Sequence, residues 1–312
     1  MEFFKKTTSI NFLGQRKLLW FISAMVVLVS LTSLAVRGLN FGIDFTGGLL
    51  VEMQYPQAVE LEQVRDALTT GGFPEASVQY FGTARDVLVR LAPREGVSSA
   101  TVSSEIMRAL DHDGASLAQM KRVEYVGPQV GEELAQDGML ALLIALIGIA
   151  LYVAMRFEYR LATGAIMATL HDVIATVGVF SLTGLEFNVT VLAGVLAIIG
   201  YSLNDTVVVY DRIRENFRLL RKGTPMEVAN LSINQTLSRT IMTAGVTLLV
   251  VIAMLVWGGE MLFGFALALL VGIAVGTYSS IYVASATALA MGLQKEHLIP
   301  PKKEGAEIDD RP

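Results

Sequence analysis

Six long apolar runs, at residues 18–36, 139–155, 161–182, 187–210, 241–257 and 261–291, constrain the fold more than any other feature of the chain. The first five hold 17 to 24 residues, close to the ~20 a helix needs to cross ~30 Å of hydrocarbon at ~1.5 Å per residue. The sixth holds 31, so it is expected to tilt or to run on past the bilayer. Hydrophobic residues make up 53% of the chain and charged ones only 17%, more apolar surface than a water-soluble fold hides. The spacing predicts a membrane all-α bundle of six transmembrane helices. Ser33-Leu34-Ala35 imitates a signal-peptide cleavage site, but the first run is longer than the roughly 7–15-residue core of a signal. It is read as an uncleaved anchor.

Basic residues orient the spans. Lys5, Lys6, Arg16 and Lys17 precede the first run, and Arg156 and Arg160 flank the link between the second and third. Arg212, Arg214, Arg218, Arg221, Lys222 and Arg239 follow the fourth, and Lys295, Lys302, Lys303 and Arg311 lie in the tail. The links at 183–186 and 258–260 carry none. Basic links alternate with bare ones, as the positive-inside rule requires of a chain with both termini cytoplasmic. The expected division is a cytoplasmic N-terminus at 1–17, a first helix at 18–36, a periplasmic domain at 37–138, helices two to six at 139–293 and a cytoplasmic tail at 294–312.

The long link 37–138 holds 8 basic and 15 acidic residues; long segments translocate regardless of charge. Leu49, Val51, Met53 and Tyr55 alternate with polar residues, as on a half-buried strand. Leu61, Val64 and Leu68 take helical spacing, closed by Gly71-Gly72. Residues 78–81 and 87–91 read as two strands around a turn, Val102, Ile106, Ala109 and Leu110 as a second helix, and 123–126 as a last strand. The order β-α-β-β-α-β is that of an α+β, ferredoxin-like domain.

The sequence contains no nucleotide-loop, zinc-protease or serine-hydrolase motif. No basic nucleic-acid stripe occurs and cysteine is absent. No enzyme, no cofactor and no metal site is expected; Asp111-His112-Asp113 reads as a polar loop after a helix and His297 as a solvated tail residue. Ionisable groups inside the spans are the exceptions, since each costs ~2.5–3.5 kcal/mol to insert and demands a partner. His171-Asp172 lies mid-way along the third span, where a helix–helix hydrogen bond and proton handling both fit. Asn204-Asp205 lies late in the fourth span, and Arg239 at the mouth of the fifth, with Thr243 one turn deeper. Arg239 alone would also fit a snorkelling anchor; a carboxylate such as Asp205 cannot snorkel far. These spans are joined by a cytoplasmic link, so Asp205 and Arg239 are placed at similar depth and could meet. Gly264, Ala268, Gly272, Gly276, Ser280, Ala284, Ala288 and Gly292 put a small residue at every fourth place of the sixth span. Such a row permits close helix contact, but it winds by ~40° per step, so no single neighbour can use all of it.

Specific runs resemble the SecD/SecF family of protein-export membrane proteins. They are FGIDFTGG at 41–48, GPQVGEEL at 127–134, GYSLNDTVVVYDRIREN at 200–216 and LSRTIMT at 237–243. Without the family, the first is a Gly-rich turn at a membrane surface. The match covers nearly the whole chain, and its length sets it apart from SecD, which carries a larger exported domain. The resemblance implies a subunit that pairs with SecD in an RND-like heterodimer of the bacterial inner membrane. That pair uses the proton-motive force, with protons as the coupling ion, to finish moving unfolded preproteins through SecYEG after SecA has acted. YajC and YidC are further partners it implies. The family's proton pathway falls on Asp205, Arg239 and Thr243, and it also uses a SecD carboxylate that this chain lacks; His171 and Asp172 are a secondary polar pair read from their place in the third span, not from the family. Two other readings are a passive scaffold for SecD and a small-molecule efflux pump, although such pumps carry two six-helix halves and larger exported domains.

Overall fold

The computed structural model describes residues 8–93, 99–110, 118–220 and 222–298. Five single helices are long and apolar enough to cross a membrane: α1 (Arg16–Val36), α5 (Pro128–Arg156), α6 (Tyr159–Thr183), α7 (Val189–Leu219) and α8 (Pro225–Trp257). A sixth span runs as α9 (Gly259–Ser279), a π-helical turn (Ser280–Ala284) and α10 (Ser285–Ala290). The chain is a multi-pass membrane protein.

Helices and apolar runs differ in extent, for local reasons. α5 starts at Pro128, well before the apolar run at 139, because Pro suits the first helical position and Gln129, Glu132, Glu133 and Gln136 favour helix without being apolar. α8 starts on a capping box, Thr224 with Glu227, followed by Pro225. The sixth span is not one even helix; its π turn is a break that the apolar pattern did not announce.

Packing within the bundle relies on small residues, as it must where lipid tails are as apolar as leucine. α1 buries only Ser23, Ser30 and Ser33. Ser30 fills the space left by Gly178 on α6, where an added Cβ would stand 2.2 Å from the serine Oγ. The Ser33 and Ser181 hydroxyls bond to each other at 2.8 Å. Along the sixth span, Gly264 faces Val191, Gly272 faces Ile198 and Gly276 faces Ser202, all on α7. Further on, the Ala284 carbonyl lies against Gly164 of α6 instead. The small-residue row therefore serves two neighbours in turn, as its winding requires.

Between α1 and α5 lie β1 (Asn40–Phe41), α2 (Ile43–Thr46), β2 (Gly48–Gln54), α3 (Leu61–Thr70), β3 (Ser77–Phe81), β4 (Thr83–Leu91), α4 (Ser99–Leu110) and β5 (Gln119–Val126). Four strands form one sheet in the order β3-β4-β2-β5, every pairing antiparallel. Leu49, Val51 and Met53 alternate onto one face and meet Val87, Val89 and Leu91 of β4 there. Val64 and Leu68 of α3 and Val102, Ile106 and Leu110 of α4 cover that face. The other face is smaller: Leu50 and Leu88 pack under Ile43. Asp111, His112 and Asp113 lie outside the described residues.

The segment 41–48 fastens this sheet to the bundle. β1 pairs in parallel with β6 (Glu186–Phe187), in the link between α6 and α7, with Asn40 opposite Glu186 and Phe41 opposite Phe187. Phe41, Phe45, Phe180 and Phe187 make a cluster with ring centroids 5.9–6.2 Å apart. Asp44 Oδ2 accepts the Val189 N–H at 3.0 Å, capping α7 from 145 residues away. Gly47 (φ +67°) and Gly48 (φ +135°) occupy backbone regions that side chains disfavour. A Cβ at Gly48 would also lie 2.4 Å from the Leu91 carbonyl oxygen. Gly47 in turn lies against Gly131 of α5, where an added Cβ would be 2.7 Å from its nitrogen. At the opposite end of the bundle, Asn230 and Asn234 of α8 donate to the Ile10 carbonyl at 2.9 and 2.8 Å. Lys295 there donates to the Leu220 carbonyl at 2.7 Å. Both described chain ends thus lie away from the sheet.

Candidate functional site

Polar groups inside the bundle collect where α6, α7, α8 and the sixth span meet. Asp205 of α7 is buried, 7% exposed, and accepts two hydroxyls: Thr240 of α8 at 2.6 Å and Ser280, the first residue of the π turn, at 2.8 Å. Hydrogen bonds to an ionised acceptor are the stronger kind, so two donors hold this carboxylate in place.

Arg239 takes no part in that contact. It is exposed, and among the described residues it forms no ion pair with Asp205. Consecutive helical residues point ~100° apart, so the turn that aims Thr240 at Asp205 aims Arg239 away. Thr243 is exposed too, its hydroxyl donating to the Arg239 and Thr240 carbonyls of its own helix at 3.0 Å each. Asn204 likewise faces outward. Of the residues singled out from sequence, the bundle interior thus contains Asp205, His171 and Asp172, while Arg239, Thr243 and Asn204 stand on its outer surface.

His171 and Asp172 are 6% and 1% exposed. His171 Nδ1 lies 3.0 Å from Asp172 Oδ1. Asp172 Oδ2 accepts Ser202 of α7 at 2.5 Å and Ser279 of α9 at 2.8 Å. Among the described residues, His171 Nε2 is buried with no hydrogen-bond partner, as are Thr176 Oγ1 and Tyr210 Oη. His297 sits instead in a short turn at the far end, its Nδ1 accepting the Gln294 N–H at 3.1 Å. Among the described residues, no group of three His, Cys, Asp or Glu side chains converges as a metal site would.

The two acidic places that looked separate in sequence are neighbours. Ser202 and Asp205 lie three residues apart on one face of α7, and the adjacent Ser279 and Ser280 reach one aspartate each. Sequence reasoning missed Thr240, Ser202, Ser279 and Ser280, because a hydroxyl in a membrane helix bonds its own backbone cheaply and carries little signal. The one available sign was a pair of adjacent serines within the small-residue row.

Comparison with known proteins places the chain. The family described as "Protein export membrane protein SecD/SecF, C-terminal" matches residues 106–294, and "SecD/SecF GG Motif" matches residues 32–59, which include the clamp segment. "Protein translocase subunit SecF" of Vibrio alginolyticus is 52% identical over 100% of this chain and 99% of its own. The protein of the same name from Pseudomonas aeruginosa is 48% identical over 98% of this chain and 99% of its own. Among solved structures, SecDF from Thermus thermophilus, a translocon-associated membrane protein, superposes with a TM-score of 0.83 at 40% identity. It covers 91% of this chain. SecDF in its super-membrane-facing form gives 0.68 at 41% identity over 92% of the chain. This chain spans 39% of either SecDF chain. Matched along its whole length by translocase subunits of one name, and folded like part of SecDF, the chain belongs to the SecD/SecF family of protein-export membrane proteins, on its SecF branch.

Proposed function

We propose that this translocase subunit works with SecD in the bacterial inner membrane, where the pair couples proton flow to late steps of preprotein movement through SecYEG after SecA has acted. It needs no cofactor and catalyses no covalent reaction; protons are the coupling ion. Both termini are cytoplasmic in this reading, which follows the basic links. The domain within 37–138 is then periplasmic, and its strand order, with two helices on one face, supports a ferredoxin-like assignment. The remaining boundaries are those of residues 1–17, 18–36, 139–293 and 294–312. YajC and YidC are further candidate partners, on the family resemblance alone.

The observation that carries the reading is Asp205: a carboxylate inside a membrane bundle, held by two neutral hydroxyls and, among the described residues, in no ion pair. Such a group is expensive unless it works, and neutral donors leave it free to take and release a proton. Arg239 and Thr243 support the pairing with SecD. They lie exposed among Ile241, Met242 and Val246, which are exposed as well; a guanidinium suits a partner's carboxylate better than lipid. In this reading Arg239 acts on the proton route through its charge, which reaches Asp205 without an ion pair. Arginine stays charged throughout, so Asp205 is the group that exchanges. One charge crossing ~100 mV yields about 2.3 kcal/mol, enough to bias a two-state movement roughly fiftyfold.

The test is translocation into inverted membrane vesicles with and without an uncoupler, started by SecA and ATP. Asp205→Asn keeps the shape and removes the titration. It should co-purify with SecD yet lose the gradient-dependent part of translocation. Vesicles that respond to the gradient as the parent does would remove the proton role and leave a passive scaffold.

A further inference from the structure

Asp205 is not the only buried ionisable group in this bundle: His171 and Asp172 lie beside it, with adjacent serines bonded to the two aspartates. The His171 ring is buried and its Nδ1 faces the Asp172 carboxylate. With the Nδ1 proton directed at that carboxylate, Nε2 presents a lone pair, and Nε2 has no partner among the described residues. An imidazole nitrogen left open inside a bundle whose other buried hydroxyls and carboxylates are nearly all bonded is a vacant base.

Groups facing this ring are few. Tyr278 of α9 packs at 6.3 Å between ring centroids, with its hydroxyl bonded to the Ser23 hydroxyl and donating to the Leu19 carbonyl of α1. Tyr282 of the π turn lies behind it at 5.1 Å. α7 contributes Asp205, one turn beyond the Ser202 that bonds Asp172, and α8 contributes Arg239 on the outer surface. The charged residues of α5 are elsewhere: Arg156 pairs with Asp211 at the far end, and the acidic ones lie in its first turns. The basic residues of α1, Arg16 and Lys17, lie at its start.

Two consecutive serines stand between the sites, one bonded to each aspartate, and each has one proton and two acceptors. Ser279 Oγ reaches Asp172 Oδ2 at 2.8 Å and the Gly276 carbonyl at 3.2 Å. Ser280 Oγ reaches Asp205 Oδ2 at 2.8 Å and the Thr277 carbonyl at 3.0 Å. While a carboxylate is ionised, the serine donates to it. When the carboxyl gains a proton, its O–H donates to the serine Oγ, and the serine proton turns to the carbonyl of its own helix. Only an O–H rotation is needed. Both serines stand at the entry of the π turn, a place where the helical ladder is already broken and such breaks recur at working sites.

We infer that His171 and Asp172 form a second proton-holding site, coupled to Asp205 through the Ser279 and Ser280 hydroxyls at the π turn. A proton arriving at His171 Nε2 makes an imidazolium beside the Asp172 carboxylate; its departure restores the neutral ring, and no other bond changes. Ser279 and Ser280 are positioning residues that let the charge at one site be felt at the other. The inference rests on Asp205 being able to change its protonation, as proposed above.

The test reads the ring directly. The chain has three histidines, so His112→Asn with His297→Asn leaves His171 as the single signal in ring-nitrogen NMR of the full chain in lipid nanodiscs. The ring nitrogens should report both a neutral and a protonated form as pH is varied, and Asp205→Asn should change the ratio of the two at a given pH about threefold or more. In the Ser279→Ala, Ser280→Ala background that dependence on Asp205 should vanish, and Ser280→Thr, which keeps the hydroxyl, should retain it. Should the double variant fail to fold, Ser280→Ala alone keeps the Asp172 contact and makes the same comparison. A ring fixed in one form at every pH, a ratio indifferent to Asp205→Asn, or a dependence that survives without the serines would each overturn the inference. Translocation is not the readout. A failure here is therefore distinguishable from a failure of Asp205 as the proton carrier, which the vesicle assay reports.

Discussion

Removing the Asp44 carboxylate should loosen the attachment of the sheet to the bundle at one identifiable point. The first N–H groups of α7 have no partners within the helix. Asn188 accepts the one from Val191 at 3.0 Å, and Asp44 Oδ2, from the clamp segment, accepts the one from Val189 at the same distance. A hydrogen bond to a charged group contributes ~1.5–3 kcal/mol, and a carboxylate at a helix start ~0.3–1 kcal/mol at exposed sites. Asp44 is half-buried, so water can take over part of its role in Asp44→Ala and the loss should fall near 1 kcal/mol. That corresponds to about a fivefold rise in local opening. Hydrogen exchange of the full chain in nanodiscs should show faster exchange in peptides covering 40–48 and 186–191, with α9 unchanged. Asp44→Asn, which keeps an acceptor oxygen, should sit between parent and alanine variant. Unaltered exchange in both peptides, or a uniform rise along the chain, would refute the clamp as drawn.

Gly272→Leu should lower the thermal unfolding temperature in detergent by an amount equivalent to about 1–3 kcal/mol, because its first carbon would stand 2.2 Å from Ile198. The same change at Gly200, with nothing within 4 Å, should have little effect. Burial pushes the Glu186 carboxyl above its usual range, with Asp44 and Glu124 adding to the rise and Arg90 opposing it. Its folded affinity for a proton thus exceeds the unfolded one, so stability is lost as pH climbs through the folded value. Glu186→Gln should therefore be more stable than the parent at neutral pH and no different below about pH 4, as thermal melts across pH would report. The sequence has no cysteine, so single thiols map topology directly. Thr70→Cys should react with an impermeant reagent from outside intact spheroplasts and Lys222→Cys only after permeabilisation; the reverse pattern would invert the orientation.

The spans were legible because a bilayer asks one coarse question, apolar length, and these runs answer it. Legibility stopped where the answer depended on which way a helix faces. A charge draws notice in an apolar run, so Asp205 and Arg239 stood out, yet one residue's rotation gives the contact to Thr240 instead. The outer turns of α5 were hidden for the opposite reason, being polar residues that form helix well. FGIDFTGG showed its glycines but not its partner, since a two-residue strand such as β6 leaves no periodic trace. The π turn was equally silent: Ser280–Ala284 has the composition of any small-residue helix.

α5 passes from the edge of the sheet to the opposite end of the bundle as one unbroken rod of 29 residues, and it buries only Gly131 and Val153. Its first turns are gripped by α2 and its remaining length is held loosely. It follows that the sheet has a stiff lever attached to it, some 43 Å long at ~1.5 Å per residue. A small rotation at the clamp becomes a sweep of several ångströms where α5 ends, beside Arg156 and Asp211. Mechanical work done on one side of the membrane would thus be legible on the other as torque, without any joint in between.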